Sequence, residues 1–155
     1  MSFTDLINQR LGIRDTYIAI RLHNHQTDQS ELVTNIPDDF RNTYYEKRYN
    51  DIDDSFSYTE QNIGKLCFPN TLNPDYESKF LPILESHGFF NLASFSIGDD
   101  IQLTCIITQT KQIQDAAQEF LALRDKVIQW CSIIVDEFCE LADSSHFDFN
   151  AIPKA

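Results

Sequence analysis

The sequence predicts an α+β fold in which helices cover both faces of a central antiparallel sheet of about five strands, a PAS- or profilin-like α/β/α sandwich. Two observations support this. Two pairs of runs with alternating apolar residues, each pair separated by a turn-rich segment, indicate β-hairpins. Between and after the hairpins, apolar residues recur at helical spacing. A sheet of this kind tends to enclose a cavity beneath its helices.

The expected order of elements is α, β-β, α, β, α, β-β, α. The expected strands are residues 16–22, 30–36, 64–68, 92–97 and 101–108. The expected helices are residues 4–11, 37–49, 73–88 and 110–141. Pro37 and the two aspartates after it suit a helix start, because proline has no N–H to leave unpaired and acids favour the positive end of the helix dipole. At 155 residues, the whole chain (1–155) is expected to form one domain.

Composition excludes several classes of function. The formal net charge is −12, from 12 basic and 24 acidic residues, so direct binding to nucleic acid is not expected. No apolar run approaches the roughly 20 residues of a membrane helix, so no membrane association is expected. The N-terminus lacks the features of a secretory signal, which predicts a cytoplasmic protein.

Neither catalysis nor a cofactor is indicated. The four cysteines, at 67, 105, 131 and 139, lie in apolar segments without a CxxC pair, which indicates buried reduced thiols. The sequence HNH at 23–25 lacks a nearby third metal ligand and is better explained as a turn beside a strand. No phosphate-binding loop, dinucleotide fingerprint or nucleophile motif is present in the sequence, so no enzyme activity and no cofactor are expected.

Residues 34–56 combine aromatic rings with carboxylates at regular spacing. Ile36, Phe40 and Tyr44 are four residues apart and would stack along one helix face. Asp53 follows just past the expected end of that helix. From spacing alone, Asp53 is either a solvated acid at the helix end or a hydrogen-bond acceptor in a pocket.

The positions of Phe40, Tyr44, Asp53, Phe68 and the pair His87-Gly88 resemble those in the ligand-binding domain of LuxR-type quorum-sensing regulators. The segments TNIP (34–37) and GKLCF (64–68) look most like the SdiA-type members. The correspondence from about residue 30 to Phe68 requires no gap, and the order of elements agrees over nearly the whole chain.

The resemblance implies a role for each matching residue. Tyr44 lines the pocket, Asp53 accepts the amide N–H of an acyl-homoserine lactone, and the aromatic at 68 packs near the ligand's head group. Position 40 is typically a tryptophan whose indole N–H holds the lactone carbonyl, and position 36 is often a tyrosine that binds the acyl carbonyl. The candidate ligand-binding residues are Ile36, Phe40, Tyr44, Asp53, Phe68 and Ser94.

This chain departs from that pattern where the family donates hydrogen bonds, because Ile36 and Phe40 have no side-chain donor. Phe68 also stands where tryptophan is usual. Each hydrogen bond lost to a buried carbonyl costs about 1–3 kcal/mol, so two losses correspond to a weakening of roughly thirtyfold to more than ten thousandfold. Acyl-homoserine lactones are therefore expected to bind weakly, whereas a more apolar ligand with one donor for Asp53 still fits.

The expected function is that of a sensory domain that binds a small apolar signal molecule in a cavity and couples it to dimerisation. The alternative is a ligandless LuxR-like domain that acts as a protein-interaction partner or dominant-negative inhibitor. LuxR-type regulators ordinarily continue into a helix-turn-helix domain, and no DNA-binding domain is expected in this chain.

Trp130 and Ile133 lie outside the densest apolar row of the last helix and suggest a partner surface. The expected partner is a second copy of the chain or a LuxR-type regulator. The alternative is that this face is covered by the N-terminal segment or by residues 146–153.

Overall fold

The computed structural model describes residues 5, 9, 15–69, 72, 76–111, 116–138 and 147–154. Within these residues, four strands form one antiparallel sheet in the order β2-β1-β4-β3. The strands are β1 (Thr16–Asn24), β2 (Gln29–Thr34), β3 (Phe90–Gly98) and β4 (Ile101–Gln109). Both predicted hairpins are confirmed, and pairing of β1 with β4 joins them into one sheet.

Four α-helices accompany the sheet in the described part of the chain. They are α1 (Asp38–Glu46), α2 (Ser55–Gln61), α3 (Leu81–Ser86) and α4 (Ala116–Phe138). A turn of π-helix, Tyr76–Phe80, leads directly into α3, and Pro82 lies in the first turn of α3, where a missing N–H costs nothing. No described helix is both long enough and apolar enough to cross a lipid bilayer.

The strands divide their side chains between two cores, which confirms the predicted α/β/α arrangement. On β1, Ile18, Ile20 and Leu22 face the core beneath α4. The intervening Tyr17 belongs to the second core, which lies beneath α1 and α3. Because β4 lies between two other strands, eight of its nine residues are buried, with side chains in both cores.

The turn between β3 and β4 depends on one glycine. Gly98 has a φ of +104°, in the region that favours glycine, and a Cβ at this position would lie 2.3 Å from the carbonyl oxygen of Ile101. The N–H of Asp99 donates to that same carbonyl. A side chain at position 98 would therefore force the hairpin to open.

The expected strand at 64–68 is reduced to a single bridge between Cys67 and Ser94. This segment does follow the edge of β3, because the N–H of Gly64 also donates to the carbonyl of Ser96. Gly64 has a positive φ of 77°, which turns the backbone away from extended geometry. The sheet thus has four full strands and one bridged edge segment rather than five strands.

Helix α2 was not predicted, because its buried residues are the polar Ser55 and Thr59 rather than an apolar row. The expected helix from Pro37 to Tyr49 is confirmed over Asp38–Glu46 and continues into a short 3-10 turn, Tyr49–Asp51. The expected helix over residues 4–11 lies outside the described residues, apart from Asp5 and Gln9. Residues 73–75 of the helix expected over 73–88, and residues 112–115 and 139–141 of the one expected over 110–141, also lie outside them. Residues 110 and 111, which were expected to begin that last helix, form a bend instead.

The surface suggested for Trp130 is corrected by the structure. Trp130 is 0% exposed and packs in the core between α4 and the sheet, and Ile133 is partly buried against the same core. Residues of the C-terminal segment also pack there, through Phe147, Phe149 and Ile152. The Arg124 guanidinium fixes this segment by donating to the carbonyls of Asn150 and Ile152.

Candidate ligand-binding site

A cavity of about 480 Å³ lies between the sheet and the helices α1, α2 and α3. This volume falls within the range of small-molecule sites, roughly 300–1,000 Å³. Its inner wall is formed by buried, mostly apolar side chains. They come from the π-helical turn, from α3, and from β3, β4 and the residue just before β3: Tyr76, Phe80, Leu84, Phe89, Leu92 and Ile106. Exposed residues line its mouth, among them Leu32 of β2 and Tyr45 of α1.

Aromatic rings make up much of one side of the cavity. The ring of Phe40, on α1, lies 4.5 Å from that of Phe89 and 5.1 Å from that of His87, measured between centroids. One helical turn later, the ring of Tyr44 lies 6.2 Å from that of Phe80 in an edge-on arrangement. Phe40 and Tyr44, one helical turn apart on α1, therefore line the same side of the cavity. Ile36, which was expected on the same helix, precedes α1 and also lines the cavity.

Asp53 is the polar centre of the site. Its Oδ2 accepts a hydrogen bond from the Tyr44 hydroxyl at 2.7 Å. Its Oδ1 accepts two more, from the Ser55 N–H at 2.9 Å and the Ser55 hydroxyl at 2.6 Å. Each carboxylate oxygen has two lone pairs, so Oδ2 retains the capacity to accept one further hydrogen bond.

The backbone between α1 and α2 brings Asp53 back to the aromatic wall. Arg48 adopts a left-handed conformation with φ of 57°, which ends the path of α1. The 3-10 turn then reverses the chain, and the N–H groups of Ile52 and Asp53 both donate to the carbonyl of Tyr49. Asp53 consequently faces Tyr44, nine residues before it, at the start of α2.

The electrostatics keep the tyrosine hydroxyls protonated. Burial, followed by the charge of Asp53, raises the pKa of Tyr44 above its ordinary value of 10.0. The same two causes raise the pKa of Tyr76 well above that value. Within the described residues Asp53 makes no salt bridge, so hydrogen bonds from neutral donors stabilise its charge.

Comparison with known proteins identifies this architecture. Residues 2–138 match the family model described as the autoinducer binding domain. The chain belongs to the autoinducer-binding domain family. The resemblance to LuxR-type quorum-sensing regulators, inferred from the spacing of Phe40, Tyr44 and Asp53, is thereby confirmed.

The fold comparison agrees. A crystal structure of Escherichia coli SdiA superimposes with a TM-score of 0.59 at 15% sequence identity, covering 89% of this chain and 61% of that chain. At this identity the likeness concerns the fold alone, and the present chain matches less than two thirds of the SdiA chain. No curated protein sequence matches the chain significantly.

In this autoinducer-binding domain, four of the six predicted site residues line the cavity: Ile36, Phe40, Tyr44 and Asp53. Phe68 packs instead against the core beneath α4. Ser94 is fully buried on β3, where its hydroxyl is 2.8 Å from the hydroxyl of Thr59 on α2. A contact between the ligand and Phe68 or Ser94 stays a prediction.

One part of the cavity wall, contributed by the hairpin β1-β2 and by the end of β4, was not predicted from the sequence. Ala19, Arg21, Thr34 and Thr108 all line the cavity. Strand alternation contains a signal for the first two, because Ala19 and Arg21 fall on the face of β1 opposite the core residues Ile18 and Ile20. A small residue between longer ones on that face leaves space beneath the helices.

A buried polar network lies beneath α2. The amide of Gln102 on β4 donates to the carbonyl of Glu60 and to the hydroxyl of Ser96, each over 2.7 Å. The Ser96 hydroxyl is also 3.0 Å from that of Thr104. These bonds fix α2, which contributes Ser55, Phe56 and Ser57 to the cavity lining, against β3 and β4.

The histidines of the HNH sequence belong to the end of the first hairpin. The His23 ring lies 2.9 Å from Asp28 Oδ1, and the His25 ring lies 2.6 Å from Gln102 Oε1, each measured from Nε2. In the described ranges, no three histidine, cysteine, aspartate or glutamate side chains are grouped so that they would hold a metal ion.

Proposed function

We propose that this domain senses a small, largely apolar signal molecule that enters the cavity between the sheet and α1–α3. The observation that carries this proposal is Asp53, a carboxylate on the wall of a 480 Å³ apolar cavity that has room on Oδ2 for one more donor. A ligand N–H or O–H group supplies that donor. The rest of the ligand is held by apolar contact, chiefly with Phe40, Phe89 and Ile106.

The other site residues position the ligand or the walls around it. The Tyr44 hydroxyl orients Asp53, and its ring packs on the ligand beside Phe80. Ser94 supports the site from behind by holding α2 through Thr59. Phe68, packed beneath the sheet, supports the neighbouring edge of β3.

Acyl-homoserine lactones are poor ligands in this proposal. Ile36 and Phe40 offer only carbon atoms to the cavity, so the carbonyl groups of a lactone lack the donors that the family resemblance assigns to these positions. A ligand with fewer buried carbonyl groups loses less on leaving water.

Sensing operates by linkage. A ligand that binds only the folded cavity stabilises the domain by mass action, at about 2.7 kcal/mol when its concentration is 100 times Kd. In the proposed function this stabilisation raises the amount of folded protein and favours a dimer of a cytoplasmic LuxR-type regulator. The ligand concentration is thereby converted into the concentration of active protein.

Native mass spectrometry of the purified 155-residue chain tests the proposal, before and after incubation with a lipophilic cell extract and a panel of acyl-homoserine lactones. The expected result is a small added mass from the extract, accompanied by a rise in Tm, with weak or no lactone adducts. Asp53→Asn should fold but show a reduced response. Asp99→Asn, an exposed residue in the β3-β4 turn, is the matched control and should respond like the wild type.

Two outcomes contradict the proposal. A chain that remains unliganded and whose Tm ignores every extract is not a sensor, and the alternative of a ligandless interaction partner then stands. An extract response that is identical in Asp53→Asn and the wild type removes Asp53 from the site.

A further inference from the structure

Strand β2 forms an open edge of the described sheet. It has one neighbour in that sheet, β1, and its first four residues are exposed. The N–H of Asn35 donates to the carbonyl of Ile18, which identifies these two residues as a hydrogen-bonded pair that continues the β1-β2 ladder. Because such pairs alternate along an antiparallel ladder, Ser30, Leu32 and Thr34 direct their backbone N–H and C=O groups away from β1.

The outward backbone groups of β2 are available for pairing. No other described element donates to them or accepts from them. An open edge is usually protected by lysine, proline or a bulge. Residues 29–34 contain no lysine or proline, their pairing with β1 has no shift in register, and their one charged residue is Glu31. By contrast, the segment 64–67 bonds along the outer edge of β3.

This edge is complementary to a second copy of itself. Ser30, Leu32 and Thr34 are spaced evenly about Leu32, so two antiparallel copies pair all three residues when Leu32 lies opposite Leu32 on a two-fold axis. Ser30 then lies opposite Thr34, and Glu31 lies opposite Val33. A shift of two residues in either direction pairs only two of the three, and in one direction it places Glu31 opposite Glu31, where like charges are destabilising. Hydrogen bonding and charge therefore select the same register.

The same pairing adds a residue to the mouth of the cavity. The side chains of Ser30, Leu32 and Thr34 line the cavity, and Leu32 is 43% exposed. In a hydrogen-bonded antiparallel pair the opposite Cα atoms lie about 5.5 Å apart. The second copy's Leu32 would therefore pack beside the first at the mouth, and each would cover apolar surface that a single chain leaves in water.

We propose that the β2 edge is a homodimer interface, in which two chains form one continuous sheet and the second copy's Leu32 completes the mouth of each cavity. This inference rests on the proposed function, since it specifies how the ligand is coupled to dimerisation. An edge of six residues is small beside the roughly 1,200–2,000 Å² that a standard interface buries, so the ligand-free dimer is weak. A ligand that reaches the mouth contacts both chains and strengthens the dimer, and dimerisation reciprocally tightens ligand binding.

Sedimentation velocity of the purified chain from about 1 to 200 μM tests the interface. The wild type should pass from monomer to dimer, and the lipophilic extract should shift this transition to about tenfold lower concentration. Leu32→Lys places like charges opposite each other on the axis, so it should stay monomeric with or without extract. Leu121→Lys is the matched control, because Leu121 on α4 is 40% exposed, and it should dimerise like the wild type.

Cysteine substitution tests the register. In Leu32→Cys the two introduced thiols face each other at a Cα separation of about 5.5 Å, which permits a disulfide. Glu31→Cys is the control, because residue 31 is also exposed but its two copies are diagonal neighbours about 7–8 Å apart, beyond the usual reach of a disulfide. After oxidation with diamide, non-reducing electrophoresis should show a covalent dimer of Leu32→Cys and little of Glu31→Cys.

Other outcomes overturn the interface. A wild type that stays monomeric at every concentration, with and without extract, does not pair through β2. A dimer that persists in Leu32→Lys, or that cross-links as readily through Glu31→Cys as through Leu32→Cys, uses another surface or register.

Failure of the interface and failure of the sensor are distinguishable, because native mass spectrometry detects an extract adduct on a monomer or a dimer. An adduct on a wild type that never dimerises would keep the proposed sensing and remove this interface. A dimer that Leu32→Lys abolishes, with no adduct from any extract, would support pairing through β2 and contradict the sensor.

Discussion

The Tyr44 hydroxyl donates a hydrogen bond to Asp53 Oδ2 over 2.7 Å. This bond connects helix α1 to the segment just before α2, where Asp53 lies. The two residues lie nine positions apart, and the chain between them reverses at Arg48 and in the 3-10 turn. This bond closes one side of the cavity, stabilises a carboxylate that has no salt bridge among the described residues, and leaves one acceptor position on it. The site and the local fold therefore depend on the same contact.

Tyr44→Phe should lower the free energy of unfolding by about 1.5–3 kcal/mol, because a hydrogen bond to a charged group is lost and the apolar ring is kept. Urea denaturation monitored by fluorescence measures the change. Tyr45→Phe is the matched control, since Tyr45 is 62% exposed and should change stability by less than about 0.5 kcal/mol. Equal effects of the two substitutions would show that the bond to Asp53 contributes nothing to stability.

Stability should fall steeply in alkaline solution. Burial raises the pKa values of Tyr44 and Tyr76 above 10.0, and burial together with the nearby Cys131 thiol raises that of Cys105 above 9.0. Above these ordinary values the unfolded chain loses protons that the folded protein keeps, so the unfolded state binds fewer protons and unfolding becomes easier as pH rises. Each group contributes up to about 1.4 kcal/mol per pH unit.

Urea denaturation at intervals between pH 8 and 11 checks this sign and slope. The wild type should lose up to about 4 kcal/mol per pH unit above pH 10, and Tyr44→Phe should lose about 1.4 kcal/mol per pH unit less. A flat profile up to pH 11, or an identical slope in the variant, would mean that Tyr44 ionises as easily in the folded protein as in the unfolded chain.

Local sequence patterns predicted the hairpins and α1 because those signals lie within a few residues. The alternation in Thr16–Asn24 and Ile101–Gln109 defines strands without knowledge of their partners. The four-residue spacing of Phe40 and Tyr44 likewise indicated that both rings share one face of α1, whereas Ile36, included in the same pattern, lies before the helix. The family resemblance added Asp53, whose spacing alone had left two interpretations open.

What the sequence did not predict depends on contacts between distant segments. Helix α2 buries Ser55 and Thr59, which join a polar network instead of an apolar stripe, so periodicity gives no signal for it. The burial of Trp130 depends on where α4 meets the sheet. Because the sequence does not show that contact, Trp130 was assigned to a partner surface. Thr108 looks like any strand threonine until pairing of β1 with β4 shows which face encloses the cavity.

Gln102→Leu should reduce the free energy of unfolding by about 2–3 kcal/mol. The substitution removes the donor to the Glu60 carbonyl and the Ser96 hydroxyl, and the acceptor beside His25, from a residue that is 2% exposed. Denaturation by urea measures the loss, and Gln29→Leu on the exposed edge strand β2 is the control, expected within about 0.5 kcal/mol of wild type. If Gln102→Leu left the free energy of unfolding unchanged, apolar packing would hold α2 in place without the network.

Phe40→Trp should improve the binding of an acyl-homoserine lactone. Phe40 lines the cavity and packs against Phe89 and His87, and it offers no hydrogen-bond donor. An indole N–H at this position would pair with a lactone carbonyl that the wild type leaves unpaired on burial. One such bond corresponds to a gain of about tenfold in affinity.

Calorimetric titration of N-hexanoyl-homoserine lactone into the wild type and Phe40→Trp measures the gain. Phe40→Leu, which also lacks a donor, separates the effect of the indole N–H from that of a changed ring, and it should bind the lactone no better than the wild type does. Submicromolar binding of the lactone to the wild type would mean that the cavity already supplies the donors that Ile36 and Phe40 lack. Residues elsewhere on the wall would then hold the carbonyl groups. The first of these residues to replace is Thr108, whose hydroxyl is removed by Thr108→Val.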